Sequence, residues 1–264
     1  MADSYSLPRH AAESARLNDQ HHVLKTISGF PGLLHPCILA SLQTARIADM
    51  GTGTGAWLLE LSSQRTQDSY TGLDISAAQF PSEPPSNITF DVWNVLDPAP
   101  PQYQGCFKVV HVRLVGLALV GEQFSVAARN LMTMTKSGGW IQWGEADAGD
   151  ITHRGLVSQA LKALYSRGLK VLHTQGRMLD EPRRLKEVLE QVGFEEIEEK
   201  VVSVDEVEAV RQGFNKMFVG AFSGILSEAG TEGEDGDLVG DAEKAVLQGS
   251  WSNCKFHVVV GQKA

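Results

Sequence analysis

The sequence predicts an α/β fold: a doubly wound, mostly parallel seven-stranded sheet with helices on both faces. Three observations lead there. Short apolar runs of strand length alternate with helix-forming segments from Arg46 onward. The first run ends in the loop Gly51-Thr52-Gly53-Thr54-Gly55, which opens into the helix formers Ala56-Trp57-Leu58-Leu59-Glu60-Leu61. The composition is that of an ordinary globular chain: 264 residues, 42% hydrophobic and 21% charged.

Taken in order, Ala11, Ala12, Ala15, Leu17, Val23, Leu24 and Ile27 recur at a near-helical spacing, so a helix is expected over 11–28. Phe30-Pro31-Gly32 reads as a turn, with a short helix from about His35 to Gln43 behind it. Arg46-Ile47-Ala48-Asp49-Met50 reads as a buried strand. Further strands are expected at Ser69 to Asp74, Ile88 to Trp93, Cys106 to Val112 and Trp140 to Gly144. The clearest helix between them runs from Glu122 to Thr135. Such alternation implies a mostly parallel sheet covered on both sides. Pro81, Pro84, Pro85, Pro98, Pro100 and Pro101 suggest extended surface connections around the third strand. Beyond Gly144 the chain reads as mostly helical up to Glu195. A strand at Phe194 to Val202, a long helix at Val204 to Leu226 and a final strand at Lys255 to Val260 complete the count of seven. The Gly-, Glu- and Asp-rich run Glu228 to Asp241 reads as a mobile, solvated loop.

The length suits one large domain, divided as 1–45, 46–147 and 148–264. A net charge of −9 opposes a broad nucleic-acid footprint, which needs a basic face. Three cysteines, Cys37, Cys106 and Cys254, lack both disulfide-framework and zinc spacing. There is no basic-then-apolar leader, and no run approaches the roughly 18 apolar residues of a membrane helix. The expected setting is cytoplasmic, with no membrane or nucleic-acid partner; the oligomeric state is not legible. The acids Glu232, Glu234, Asp235, Asp237 and Asp241 lack calcium-loop spacing, so no metal site is expected.

The glycine loop by itself is a weak signal, since a glycine-rich turn can serve only to pack a helix on a strand. Two acids narrow its meaning. Asp74, ending the second strand, can accept hydrogen bonds from both hydroxyls of a ribose, which supports an adenosine-containing cofactor. Asp49 stands at the mouth of the loop, where it would repel a pyrophosphate and attract a cation. S-adenosylmethionine carries an ammonium and a sulfonium, and its carboxylate suits the N–H groups at a helix start. A nicotinamide oxidoreductase, suggested by Ala56 in the relaxed fingerprint, is opposed by Asp49 and by the lack of a Tyr-x-x-x-Lys pair.

The sequence resembles the class I S-adenosylmethionine-dependent methyltransferases, and within them the small methyltransferases of fungal secondary metabolism. The resemblance runs through Tyr5-Ser6-Leu7-Pro8-Arg9, Glu13, Arg16-Leu17, Asn18-Asp19-Gln20-His21, Ile47 to Gly55 and Gly72-Leu73-Asp74-Ile75-Ser76. It continues through Val92 to Pro98, Val109-Val110-His111-Val112-Arg113 and Gly138-Gly139-Trp140-Ile141-Gln142-Trp143-Gly144-Glu145, and weakens after about residue 147. Asn94 and Lys108 depart from it, each standing where the family usually has an acid.

What the resemblance implies is a Rossmann-like fold with an N-terminal helical lid over the cofactor, bringing Tyr5 and Gln20 or His21 near it. Gly51, Thr52 and Gly53 would approach the methionine part and Asp49 its amino group. Asp74 would bind the ribose, with Ile75 on the adenine, Asn94 and Val95 at its edge, and Trp93 among the cofactor residues. His111 and Arg113 would lie beside the sulfur, while Glu145 and Asp147 would face the substrate. Methyl transfer needs alignment, and a base only where the acceptor must lose a proton. The candidate catalytic residues are His111 and Glu145, with Asp147, His21 and His22 as further possible bases. The expected activity is methylation of a small secondary metabolite at O, N or S. The alternative is a non-methylating binder of the same cofactor, a rearrangement catalyst or a methyltransferase-like regulator.

Overall fold

A computed structural model describes residues 11–155, 159–177, 179–230 and 237–264. Helices α1 (Ala11–Ser28) and α2 (Pro36–Ser41) precede β1 (Arg46–Met50), α3 (Ala56–Gln64), β2 (Ser69–Asp74) and β3 (Ile88–Val92). Then come β4 (Phe107–Arg113), α4 (Gln123–Met134), β5 (Thr135–Arg154), α5 (Gln159–Thr174) and α6 (Leu185–Val192). The chain continues through β6 (Phe194–Ser203), α7 (Arg211–Glu228), α8 (Leu238–Leu247) and β7 (Trp251–Lys263).

The seven strands form one sheet in the order β3-β2-β1-β4-β5-β7-β6. β1, β2, β3, β4 and β5 pair in parallel, and β7 runs antiparallel between β5 and β6. The central strands are apolar on both faces, as a sheet covered twice requires. Ala48, Met50, Val110 and Val112 face one way, against α4 and α6. Ile47 and Val109, one residue out of phase, face α2 and α3. Helix α4 earns its place by period: Phe124, Ala127, Ala128, Leu131 and Met134 make one buried stripe. A third apolar cluster joins α1, α5, α7 and α8 beyond the edge of the parallel half.

Four expectations are corrected. β5 does not stop at Gly144: it runs to Arg154 because β7 keeps pairing with it, from Trp140↔Gln262 to Arg154↔Trp251. β7 is correspondingly longer than Lys255 to Val260. The expected long helix begins only at Arg211, after two short 3-10 turns over 204–210. Finally, the acidic stretch ends in a helix start: the Asp237 carboxylate accepts from Gly240 N at 3.0 Å and caps α8. Glu232, Glu234 and Asp235 lie outside the described residues. No described helix is long and apolar enough to cross a membrane.

Candidate functional site

The order of the strands reverses at β1, which lies parallel between β2 on one side and β4 on the other. A crevice at the carboxyl ends of such strands is where α/β sheets take ligands. Here it opens into a cavity of about 210 Å³.

The glycine loop forms its floor. Gly51, Gly53 and Gly55 all have positive φ, at 72°, 52° and 71°. A Cβ on Gly51 would stand 2.6 Å from Val115 Cγ1, and one on Gly55 would stand 2.7 Å from the Phe90 ring, so glycine is required sterically as well. Backbone N–H groups of Gly51 and Thr52 donate to Leu73 O, tying the loop to β2. Gly53 N donates to Asp74 Oδ2 at 2.9 Å, which brings the loop and the acid of β2 to one point.

Asp49, Gly51, Thr52, Gly53, Asp74, Ile75, Asn94, Val95, Arg113 and Gln20 all line this cavity. Gln20 comes from α1, which lays Arg16 and Leu17 over the same opening. Polar links hold α1 there. Thr54 Oγ1 donates to Asn18 Oδ1 at 2.8 Å, and the Glu60 carboxylate of α3 meets both His21 Nε2 and Lys25 Nζ. His21 is buried with its other nitrogen 3.3 Å from Arg113 Nη2, and its pKa is driven down to about 4, chiefly by burial and then by Arg113. Burial likewise lowers Arg113 to about 10. His22, expected as a possible base, is an exposed residue of α1. Tyr5 lies outside the described residues.

Three of the expected site residues lie outside the lining of this cavity. His111 does not line the large cavity: it is 3% exposed and its Nδ1 lies 2.7 Å from Asp49 Oδ1. Burial holds its pKa below the ordinary value. Trp93 sits in the core against α4, with its Nε1 donating to Pro98 O at 3.4 Å. Asp147 is fully buried and paired with Arg183, at 2.6 Å to Nε, instead of facing the cavity.

Glu145 does line it. Its Oε1 accepts three N–H groups, from Val115 and Gly116 at 2.9 and 3.0 Å and from Trp143 Nε1 at 2.9 Å. Among the described residues no hydrogen bond reaches Oε2. Burial outweighs those donors and raises the pKa to about 7. The two successive peptides that supply two of the donors follow Leu114, a non-glycine residue at φ 54°. That backbone costs about 1–2 kcal/mol and turns 115–119 into the cavity.

Much of the rest of the cavity wall is apolar: Leu172 of α5, Leu179, and Met217, Phe218, Phe222 and Ile225 of α7, with Arg177 among them. Sequence reading missed these, and also Trp57, the second residue of α3. The position of Trp57 in the first turn of the helix after a glycine loop is a signal that could have found it. The apolar wall left no local signal, since it is assembled by distant helices.

These residues fit S-adenosylmethionine. Loop glycines that no side chain could replace leave room for a backbone approach, and carboxylates stand at the ends of β1 and β2 on either side of it.

No family model matches the chain. It is 39% identical over 178 residues to the methyltransferase grgD of a Penicillium species, covering 64% of this chain and 61% of that protein. It is 32% identical over 208 residues to the N-methyltransferase tcpN of Claviceps purpurea, covering 77% and 73%. Among solved structures it is similar in fold to phosphoethanolamine N-methyltransferase 2 of Haemonchus contortus in complex with S-adenosyl-L-methionine. There the TM-score is 0.55 at 14% identity, over 94% of this chain and 53% of that one. The 4+2 cyclase SpnF also shares the fold, with a TM-score of 0.52 at 15% identity over 97% and 98%. An α/β sheet with this crevice, loop and pair of acids defines a nucleoside-cofactor fold of the class I type. The chain belongs to the class I S-adenosylmethionine-dependent methyltransferases, beside those of fungal secondary metabolism.

Proposed function

We propose that this chain methylates a nitrogen atom of a small, largely apolar metabolite, using S-adenosylmethionine as donor and Glu145 as the group that takes the acceptor's proton. The observation that carries the reading is the Glu145 carboxyl, buried in an apolar wall with Oε1 saturated by three N–H groups and a pKa of about 7. A carboxylate of that basicity is matched to proton transfer near neutrality. The name of the relative tcpN supports nitrogen among the possible acceptor atoms.

In this reading Asp74 holds the ribose hydroxyls, Ile75 and Val95 flank the adenine, and Asn94 meets its edge. Asp49 takes the ammonium, while the backbone of Gly51, Thr52 and Gly53 meets the methionine part. Gln20, with the lid helix α1, keeps water from the donor. The chain then acts as one domain, with 1–45 as lid, 46–147 as donor half and 148–264 as acceptor half. The donor supplies a methyl carbon already activated by its sulfonium. Phe218, Phe222 and Met217 would exclude water and orient the acceptor nitrogen toward that methyl carbon. Glu145 Oε2 accepts the proton released from nitrogen. Orientation of this kind supplies several kcal/mol of rate on its own.

The test is native mass spectrometry with S-adenosylmethionine, then incubation with a metabolite extract of the host. Bound cofactor and a gain of about 14 Da on one metabolite, the change expected for a single displacement at the methyl carbon, is the expected result. Binding with no methylated product would point to the non-methylating alternative. Absence of binding would overturn the assignment of Asp49, Gly51 and Asp74 together.

A further inference from the structure

His111 is a titratable group that the proposed proton transfer does not use, yet it is tightly held. The register of β1 against β4 makes Asp49 and His111 direct neighbours. The imidazole lies flat on the Trp57 indole, with ring centroids 3.8 Å apart and planes 2° apart. A carboxylate only accepts, so the proton of this contact sits on Nδ1 and is donated to Asp49 Oδ1. From the loop side, Thr52 Oγ1 donates to Oδ2 at 2.8 Å. The two donors come from two different elements, and together they fix the plane of a carboxylate that is 4% exposed. Each oxygen keeps a lone pair for a further donor. Asp49, Thr52 and Trp57 line the donor cavity, whereas His111 stands behind them.

We propose that His111 is a positioning residue: acting through Asp49, it sets the carboxylate that recognises the ammonium of the donor's amino-acid end, and so makes the site selective for a nucleoside that carries one. This rests on the reading of Asp49 given above. A carboxylate held by one donor can swing about its Cβ–Cγ bond. Held by two, it presents its free lone pairs in one arrangement before the ligand arrives, and preset geometry is what gives a charged hydrogen bond its strength.

The test is calorimetric titration of three ligands: S-adenosylmethionine, S-adenosylhomocysteine and 5′-methylthioadenosine, which keeps the nucleoside and thioether but has no amino-acid end. His111→Phe preserves a flat ring on Trp57 and removes the donor. It is expected to weaken the first two ligands about tenfold, the effect of one lost hydrogen bond to a charged group, and to leave the third unchanged. His111→Asn, which restores an N–H near the position of Nδ1, is expected to recover most of the loss. Thr52→Val removes the other donor and should give the same selective pattern, so the inference does not depend on one variant folding. Equal weakening of all three ligands would make His111 a packing residue and overturn the inference. Unchanged binding of the first two would do the same. A wild-type chain that binds none of the three would overturn the donor-site reading itself, and this inference with it.

Discussion

Glu145 shows how far burial moves an ordinary carboxyl from its usual titration range. Its folded pKa of about 7 lies above the ordinary carboxyl value of 4.5 because burial outweighs three donated hydrogen bonds. A base works ionised, so the rate is expected to rise with pH through about 7 and level off above it. Glu145→Gln keeps the shape but cannot take a proton; kcat should fall roughly 100-fold or more, with a flat profile over the same range. Stability follows the opposite course. The contribution of a raised acid is fully present below 4.5 and is lost as pH rises through 7. Thermal melts of Glu145→Gln should therefore fall less between pH 5 and 8 than those of the wild type. Much at this scale was legible in the sequence. Asp49, Gly51, Gly53 and Asp74 could be picked out because a strand, a tight loop and a following strand end put them close together by local rules alone. His111, Asp147 and Trp93 could not be placed, because their surroundings depend on which strand lies alongside and on helices packed from elsewhere. Arg183, the partner of Asp147, is a case in point: no spacing joins the two.

Among the elements, α7 shapes the apolar wall of the cavity. It packs on α5 at Gly168, where a Cβ would fall 1.9 Å from the Phe222 ring. Phe222 also lines the cavity, so the space beside Gly168 sets where that ring stands. Gly168→Ala is expected to cost about 1–3 kcal/mol in a denaturant melt and to raise KM for the acceptor while leaving donor affinity unchanged. Helix α1 offers a second check. It is held by apolar Leu24 and Ile27 and by the Glu60 carboxylate, which meets His21 and Lys25. Glu60→Ala should speed hydrogen exchange in α1 without lowering the protection of β1 or β4. Element reading from sequence was good where one strand or helix carries its own pattern, as in β1, β4 and α4. It failed where pairing sets the length. Beyond Gly144, β5 reads Glu145-Ala146-Asp147-Ala148-Gly149-Asp150, which lacks any strand pattern; β7 holds it extended, with a register shift between Asp147 and Thr152.

For the molecule as a whole, the alternation of strands and helices was enough to foresee a mostly parallel sheet. The order in which the last strands sit was not, because antiparallel insertion of β7 between β5 and β6 leaves no trace in either neighbour. That insertion has a consequence for synthesis. β7 follows all six other strands in the chain, yet β6 touches the sheet only through it. On the ribosome, the parallel half of the sheet can close once β5 has emerged. β6, by contrast, waits as an unpaired edge with Glu195, Glu196, Glu198 and Glu199 along it, charges that discourage a stray partner during the delay. A nascent chain arrested just short of Trp251 would hold the crevice beside β1 next to an open, acidic flank, so the parallel half would take shape during translation before the far side of the sheet is sealed.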